Sequence, residues 1–181
     1  FSEDVGASFT ADDISVSGGT LGALTRVDAT HYTAVFTPTP GSTANGVVSV
    51  ASGTFTDAAG NANADGEDAN NSVTLAIDTA RPTVAITPDA ASLKAGETAT
   101  LTFTFSEDVG SSFTAGDISV SGGTLGSLTQ VDATHYTAVF TPTPGSTANG
   151  VVSVASGTFT DVAGNANADG LDANNSVTLS V

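Results

Sequence analysis

The segment Phe1-Ser-Glu-Asp-Val-Gly6 returns at Phe105, and residues 1–77 laid on residues 105–181 match at 69 positions without a gap. The period is 104 residues, and the eight differences are Ala7/Ser111, Asp12/Gly116, Ala23/Ser127, Arg26/Gln130, Ala58/Val162, Glu67/Leu171, Ala76/Ser180 and Ile77/Val181. That period lies far above those of solenoid repeats and equals the size of one β-sandwich domain, so the chain reads as a tandem of autonomous modules. Duplication this close weighs against catalysis, because a stalk gains from repeating a unit and an active site rarely does.

Each module is expected to be all-β. The chain holds 29 Thr and 20 Gly and carries no Leu- or Lys-rich helical stretch, a vocabulary of strands and turns. Period-two alternation predicts strands over 83–87, 98–105, 117–121, 127–131, 135–142, 149–155 and 174–181. In the second of these Ala99, Leu101, Phe103 and Phe105 share one face and four Thr the other. Seven strands in about 100 residues suit a two-sheet, immunoglobulin-like sandwich with Tyr136, Ala138 and Phe140 turned to the core. The first copy begins where the second is finishing its 98–105 strand, so it is expected to lack two strands. Phe1 then reads as a cut edge, and a chain without Met as a piece of something longer. The expected division is a truncated module over 1–77, a short Pro-stiffened linker over 78–82 (Asp78-Thr-Ala-Arg-Pro82) and a complete module over 83–181.

Only three basic side chains, Arg26, Arg81 and Lys94, stand against 19 acidic ones, for a formal charge of -16. A phosphate-tracking surface or a patch for anionic lipid needs clustered cations, so neither nucleic acid nor a membrane surface is an expected partner. The acids are dispersed through apolar alternation and 39% of residues are hydrophobic, which argues for a folded chain in spite of the charge. Absence of Cys excludes disulfides, thiolate metal sites and thiol nucleophiles. No apolar run reaches membrane-spanning length and no signal-peptide pattern is present, so direct membrane insertion is not expected.

The chemistry-bearing candidates are carboxylates and amides. The run Asp57, Asn61, Asn63, Asp65, Gly66 and Asp68 recurs as Asp161, Asn165, Asn167, Asp169, Gly170 and Asp172. Asn61, Asn63, Asp65 and Gly66 reproduce the 1, 3, 5, 6 spacing of a calcium loop, where alternate oxygens wrap a hard cation and Gly allows the tight turn. Position 12 holds Ser72 where such a loop has an acid, and no helix flanks the run. A plain Asx-rich turn is the alternative. A second group pairs Glu3 and Asp4 with Asp12 and Asp13, answered by Glu107, Asp108 and Asp117 at strand ends. Converging carboxylates repel, and with so few Lys or Arg the expected neutraliser is Ca2+. Asp78, at the junction, is placed to serve the loops of either module.

Enzyme readings fare badly. Glu3 and Asp4 are adjacent in an extended segment and point to opposite faces, unlike a glycosidase pair. His31 and His135 each stand beside a Tyr without a triad or HExxH-type pattern.

Taken together, FSEDV, GGTL, HYTAVFTPTP, TFTDAAGNA and the DTARP junction resemble the tandem bacterial Ig-like repeats that form stalks of large calcium-dependent surface and biofilm adhesins, including repeats-in-toxin types. The resemblance covers the whole chain. It implies extracellular sandwich modules at the bacterial cell surface, neighbouring identical repeats as partners, calcium at module ends and linkers, and an extender role. It maps calcium ligands onto Glu3, Asp4, Glu107, Asp108, Asp57, Asn61, Asp161, Asn165 and Asp78. The alternative is a module that itself binds a ligand or partner, for instance by strand addition at a sheet edge.

Overall fold

The computed structural model describes residues 1–64, 69–169 and 173–181. It divides into two compact units, Phe1–Ala80 and Arg81–Val181. Unit 1 holds β1 (Ile14–Ser17), β2 (Gly19–Leu21), β3 (Thr25–Arg26), β4 (Tyr32–Thr33), β5 (Phe36–Pro38), β6 (Gly46–Val50) and β7 (Ser72–Leu75). They form a three-stranded sheet β1-β6-β7 and two strand pairs, β2-β5 and β3-β4.

Unit 2 holds β8 (Val84–Pro88), β9 (Ala99–Phe105), β10 (Ile118–Ser121), β11 (Gly123–Leu125), β12 (Thr129–Gln130), β13 (His135–Pro142), β14 (Gly150–Val154) and β15 (Ser176–Leu179). One sheet runs β10-β14-β15, and the other runs β11-β13-β9-β8 with β12 also on β13. Every pairing between these strands is antiparallel. The sandwich expected from the sequence is therefore present, with two adjustments. The strand at Gly123–Leu125 was not expected, since its glycine hides the alternation, and the stretch 127–131 contracts to Thr129–Gln130.

The alternation in β9 becomes packing in unit 2. Ala99, Leu101 and Phe103 are fully buried and Phe105 nearly so, joined by Tyr136, Ala138 and Phe140 from β13 and by Val152, Val154 and Leu179 from the facing sheet. Their threonine neighbours in β9 face outward. Phe140 fits because Gly123 and Gly150 lie against its ring, where a Cβ at either position would collide with it. The core ends in an aromatic cluster in which Phe105 meets Phe113, Tyr136 and Phe159 edge-on at 4.8, 5.7 and 5.1 Å. The Tyr136 hydroxyl, at the rim, donates to the Gly110 carbonyl at 2.8 Å. Outside the main ladders Ser92 forms a parallel bridge with Ser180. There the Ser180 N–H donates to Ala91 O and the Leu93 N–H to Ser180 O.

Unit 1 keeps the aromatic end of this core. Phe1 occupies the place of Phe105, with Phe9, Tyr32 and Phe55 at 4.8, 5.6 and 5.0 Å. Among its described residues no strand corresponds to β8 or β9, and the buried apolar ones are Val5, Phe9 and Phe55. The octapeptide HYTAVFTP shows the effect. In unit 2 it is the single strand β13, paired with β9 along six residues, and in unit 1 the same eight residues break into β4 and β5. Leu75 is 36% exposed where its repeat mate Leu179 is 0%.

Polar side chains fix the turns. Asn167 is buried, accepts the Thr158 and Phe159 N–H groups at 2.8 and 3.1 Å and donates to Ala155 O at 3.0 Å. Asn63 makes the same three bonds in unit 1 but is partly exposed. In the turn before β4, Asp28 Oδ1 accepts the Thr30 and His31 N–H groups, and His31 Nδ1 lies 2.9 Å away. The Thr30 N–H, then the His31 side chain, hold the Asp28 carboxyl down at about 2 from its ordinary 3.8. Asp132 is lowered in the same manner by the Thr134 N–H, then by His135.

Two outcomes are expected. Truncating a buried amide leaves N–H groups without partners at about 1–3 kcal/mol each, so Asn167→Ala should lower stability in urea unfolding by about 2–4 kcal/mol. Asn63→Ala should cost less because water reaches that turn. Asp28 and Asp132 hold protons less readily in the folded chain than in the unfolded one. Their contribution is thus present above the ordinary 3.8 and lost as pH falls below it, for Asp28 toward about 2. Acid unfolding followed by circular dichroism should be shallower in that window for an Asp28→Asn/Asp132→Asn variant.

Candidate metal centre

In unit 2 the repeated acidic loop leaves the core at Phe159 and turns at Asp161. Asp161 closes its own turn: Oδ1 accepts the Asn165 N–H at 2.8 Å and Oδ2 accepts Asn165 Nδ2 at 2.8 Å. The Gly164 N–H donates to Asp161 O, with Gly164 at φ 93°, a left-handed backbone that suits glycine. Asp161 is 5% exposed. Glu107, just past β9, brings a carboxylate oxygen within 4.8 Å of one on Asp161. Two oxygens bound to one calcium at about 2.4 Å each stand no more than about 4.8 Å apart, so the pair has the spacing of two ligands of a single ion.

Asp169 is also buried, at 4% exposure. Its Oδ1 accepts the Val84 N–H at 2.6 Å and its Oδ2 the Asn167 Nδ2 at 3.4 Å, tying the loop to the start of β8. Arg81, which the sequence pattern did not single out, adds a second tie by donating from Nε to Ala166 O at 3.0 Å. Among the described residues no Lys, Arg or His pairs with Asp161 or Asp169. The donor set is thus hard, anionic oxygen, the type that calcium takes.

Asn167 stands apart from that set. Its amide oxygen already accepts two N–H groups, so the alternating spacing that suggested a wrapped cation here yields a turn pin. Asn63 is committed in the same way. Asp65, Asp68 and Asp172, named on the same spacing, lie outside the described residues.

Unit 1 repeats the loop geometry with more solvent. Asp57 Oδ1 accepts the Ala59 and Asn61 N–H groups, and Oδ2 accepts Asn61 Nδ2 at 2.7 Å. Those bonds, the Asn61 side chain first, lower the Asp57 carboxyl from its ordinary range. Glu3, Asp57 and Asn61 line one cavity. Asp78 accepts the Ala80 N–H at 3.1 Å.

Of the second acidic group, Asp4, Asp13, Asp108 and Asp117 make local bonds instead. Asp13 and Asp117 each accept the N–H and hydroxyl of a threonine three residues earlier, Thr10 and Thr114, as capping boxes of single 3-10 turns. Asp4 accepts the Gly6 N–H and pairs with Arg26 at 2.9 Å, both partly exposed. Asp108 accepts the Gly110 N–H, and its Arg26 equivalent is Gln130. The two histidines sit on their turn aspartates, Asp28 and Asp132. Among the described residues no helix is long and apolar enough to cross a membrane.

Comparison with known proteins agrees with this architecture. A family model for the bacterial Ig-like domain matches residues 1–77 and 78–181. Among curated proteins none matches. A solved structure of the Escherichia coli adhesin FdeC superposes with a TM-score of 0.52 at 18% identity, over 93% of this chain and 53% of that one. The chain therefore spans about half the length of that solved chain, and at this identity the likeness is one of fold. With both repeats matched from end to end, the chain belongs to the bacterial Ig-like domain family.

Proposed function

We propose that this chain is an extender segment of a bacterial surface adhesin, stiffened by calcium bound at module ends. The observation that carries the reading is the Glu107–Asp161 pair, two carboxylates within 4.8 Å of one another with Asp161 almost wholly buried. Like charges held that close repel unless a proton or cation lies between them, and a divalent ion relieves the repulsion directly. The module's repetition, its family and its likeness in fold to an adhesin support the structural part of the reading.

In this reading Glu107 and Asp161 bind the ion, and Asn165 orients Asp161 by holding both of its oxygens. Glu3, Asp57 and Asn61 are the corresponding residues of unit 1. Asp78 enters from its place in the sequence, on the short tether between the repeats, where a bound cation would restrict the backbone. Calcium supplies charge neutralisation and a rigid node, and no reaction is assigned to it. Extracellular calcium modules bind at about 10⁻⁴ to 10⁻³ M, so these sites fill outside the cell and empty inside it.

At about 10 mM calcium such a site adds roughly 1.4–2.7 kcal/mol to the folded state, which for a unit of this size is a rise of several degrees in Tm. Calorimetry in calcium and in chelator should show that rise, and Glu107→Gln/Asp161→Asn should abolish it. An equal Tm in both conditions defeats the calcium reading. Small-angle scattering in calcium should show greater freedom between units for Asp78→Ala than for the parent chain, and superimposable profiles would remove Asp78 from the proposal.

A further inference from the structure

Of the asparagines in the chain, only Asn70 and Asn174 are followed at the second position by a hydroxyl residue, as Asn70-Asn71-Ser72 and Asn174-Asn175-Ser176. That spacing is the acceptor pattern for N-linked sugar, in which a hydroxyl two residues on accompanies the amide and the middle residue is not proline. The sequence also places an aspartate, Asp68 or Asp172, two residues before each acceptor, a charge that a basic acceptor groove would hold. Two fixed residues recur readily in a chain rich in Ser and Thr, so the weight of the pattern rests on how the fold presents it.

Both units present it in the same way. Asn70 and Asn174 are exposed in the turn that leads into β7 and β15, and Ser72 and Ser176, the first residues of those strands, are exposed as well. The middle residue turns inward. Asn175 is half-buried, its Nδ2 donates to Val154 O at 2.9 Å, and its carbonyl accepts the Val154 N–H at 3.0 Å. Asn71 clamps Val50 by the same two bonds, at 3.0 and 2.9 Å. The residue that the pattern leaves open is thus the anchor, while the two that it specifies stand at the surface. In unit 2 the Ile86 N–H also donates to Asn174 O at 2.8 Å, which fixes the acceptor's backbone. Other asparagine side chains are spent on structure: Asn61 and Asn165 donate to Asp57 and Asp161, and Asn63 and Asn167 pin their turns.

The strands that follow lie at the ends of their sheets, in the orders β1-β6-β7 and β10-β14-β15. An edge offers its N–H and C=O groups to other chains, and charged side chains are a common guard. β7 and β15 both read Ser-Val-Thr-Leu and hold no charge. A sugar on the preceding turn would stand at the head of that unguarded edge.

We infer that Asn70 and Asn174 are N-glycosylation acceptors, presented by the folded turn of each repeat. The donor is a sugar activated as a glycosyl phosphate on a nucleotide or a lipid. Nδ2 bonds to the anomeric carbon, the bond from that carbon to the phosphate oxygen breaks with its electron pair going to the phosphate, and one Nδ2 proton passes to a base of the transferase. The clamps of Asn71 and Asn175 are untouched by this step. The inference is independent of whether the carboxylates bind calcium.

The test incubates the purified, folded chain with an asparagine glycosyltransferase and UDP-glucose, and separately with an oligosaccharyltransferase and a lipid-linked oligosaccharide. Peptide mapping by mass spectrometry should find sugar on Asn70 and Asn174 and on no other asparagine, and the arm that yields it identifies the donor. Ser72→Ala should lose the sugar at Asn70 alone and Ser176→Ala that at Asn174 alone, whereas Ser72→Thr and Ser176→Thr should retain it. These side chains are exposed, so circular dichroism should be the same for all four variants. Absence of sugar from both asparagines in both arms overturns the inference, as does sugar that persists in the alanine variants. Sugar on one asparagine alone overturns the assignment of the other. Transfer that occurs only to chain first unfolded in urea overturns it too, because the folded turn is then not what presents the acceptor.

Discussion

Ala99, Leu101, Phe103 and Phe105 lie on one face of β9, and both sheets of unit 2 close on them. Each of the three larger side chains contributes about 1.5–3 kcal/mol by leaving water. Around them Phe140 settles between two glycines, Leu179 is shut off from solvent and β13 runs unbroken for eight residues. Unit 1 presents the same octapeptide with no such strand beside it among its described residues. Without that strand face HYTAVFTP falls into two pieces and Leu75 meets solvent. Local sequence is the same in the two places, so the difference belongs to the tertiary partner alone, as expected when β-propensity reflects packing more than backbone preference.

What the sequence made legible was what alternation and repetition encode. The faces of β9 and β13, the burial of Tyr136, Ala138 and Phe140 and the two-copy organisation all followed from residue order. Less visible were features in which side chains act on the backbone. Gly123–Leu125 offers too little alternation to announce a strand. Asp13 and Asp117 looked like members of an acidic pole, yet each sits three residues after a threonine that it caps. Asn63 and Asn167 show the limit of spacing arguments, because the one-apart rhythm of a cation loop is also the rhythm of a turn whose amide binds the neighbouring strand.

The acidic excess separates in the same way. Several carboxylates are occupied by N–H groups of their own turns: Asp4, Asp13, Asp28, Asp57, Asp108, Asp117 and Asp132 all accept backbone donors within four residues. Such bonds give these carboxylate oxygens donors from their own stretch of chain. Asp161 also accepts an N–H four residues on, but it and Glu107 come from distant parts of the chain and meet beside a core. A charge total gives no means of telling these classes apart; burial and sequence separation do.

The parallel bridge between Ser92 and Ser180 has a mechanical meaning. It joins the early part of unit 2 to its last strand, with the two stretches running in the same direction. When a polypeptide is drawn out from opposite ends, parallel neighbours near those ends slide past one another, so the load falls along the strands and across their bonds together. The Leu93 and Ser180 hydrogen bonds are therefore strained simultaneously, in shear, rather than opened one at a time like a zip. A small patch of backbone, unremarkable in its chemistry, thus adds a connection of the shear type to the module.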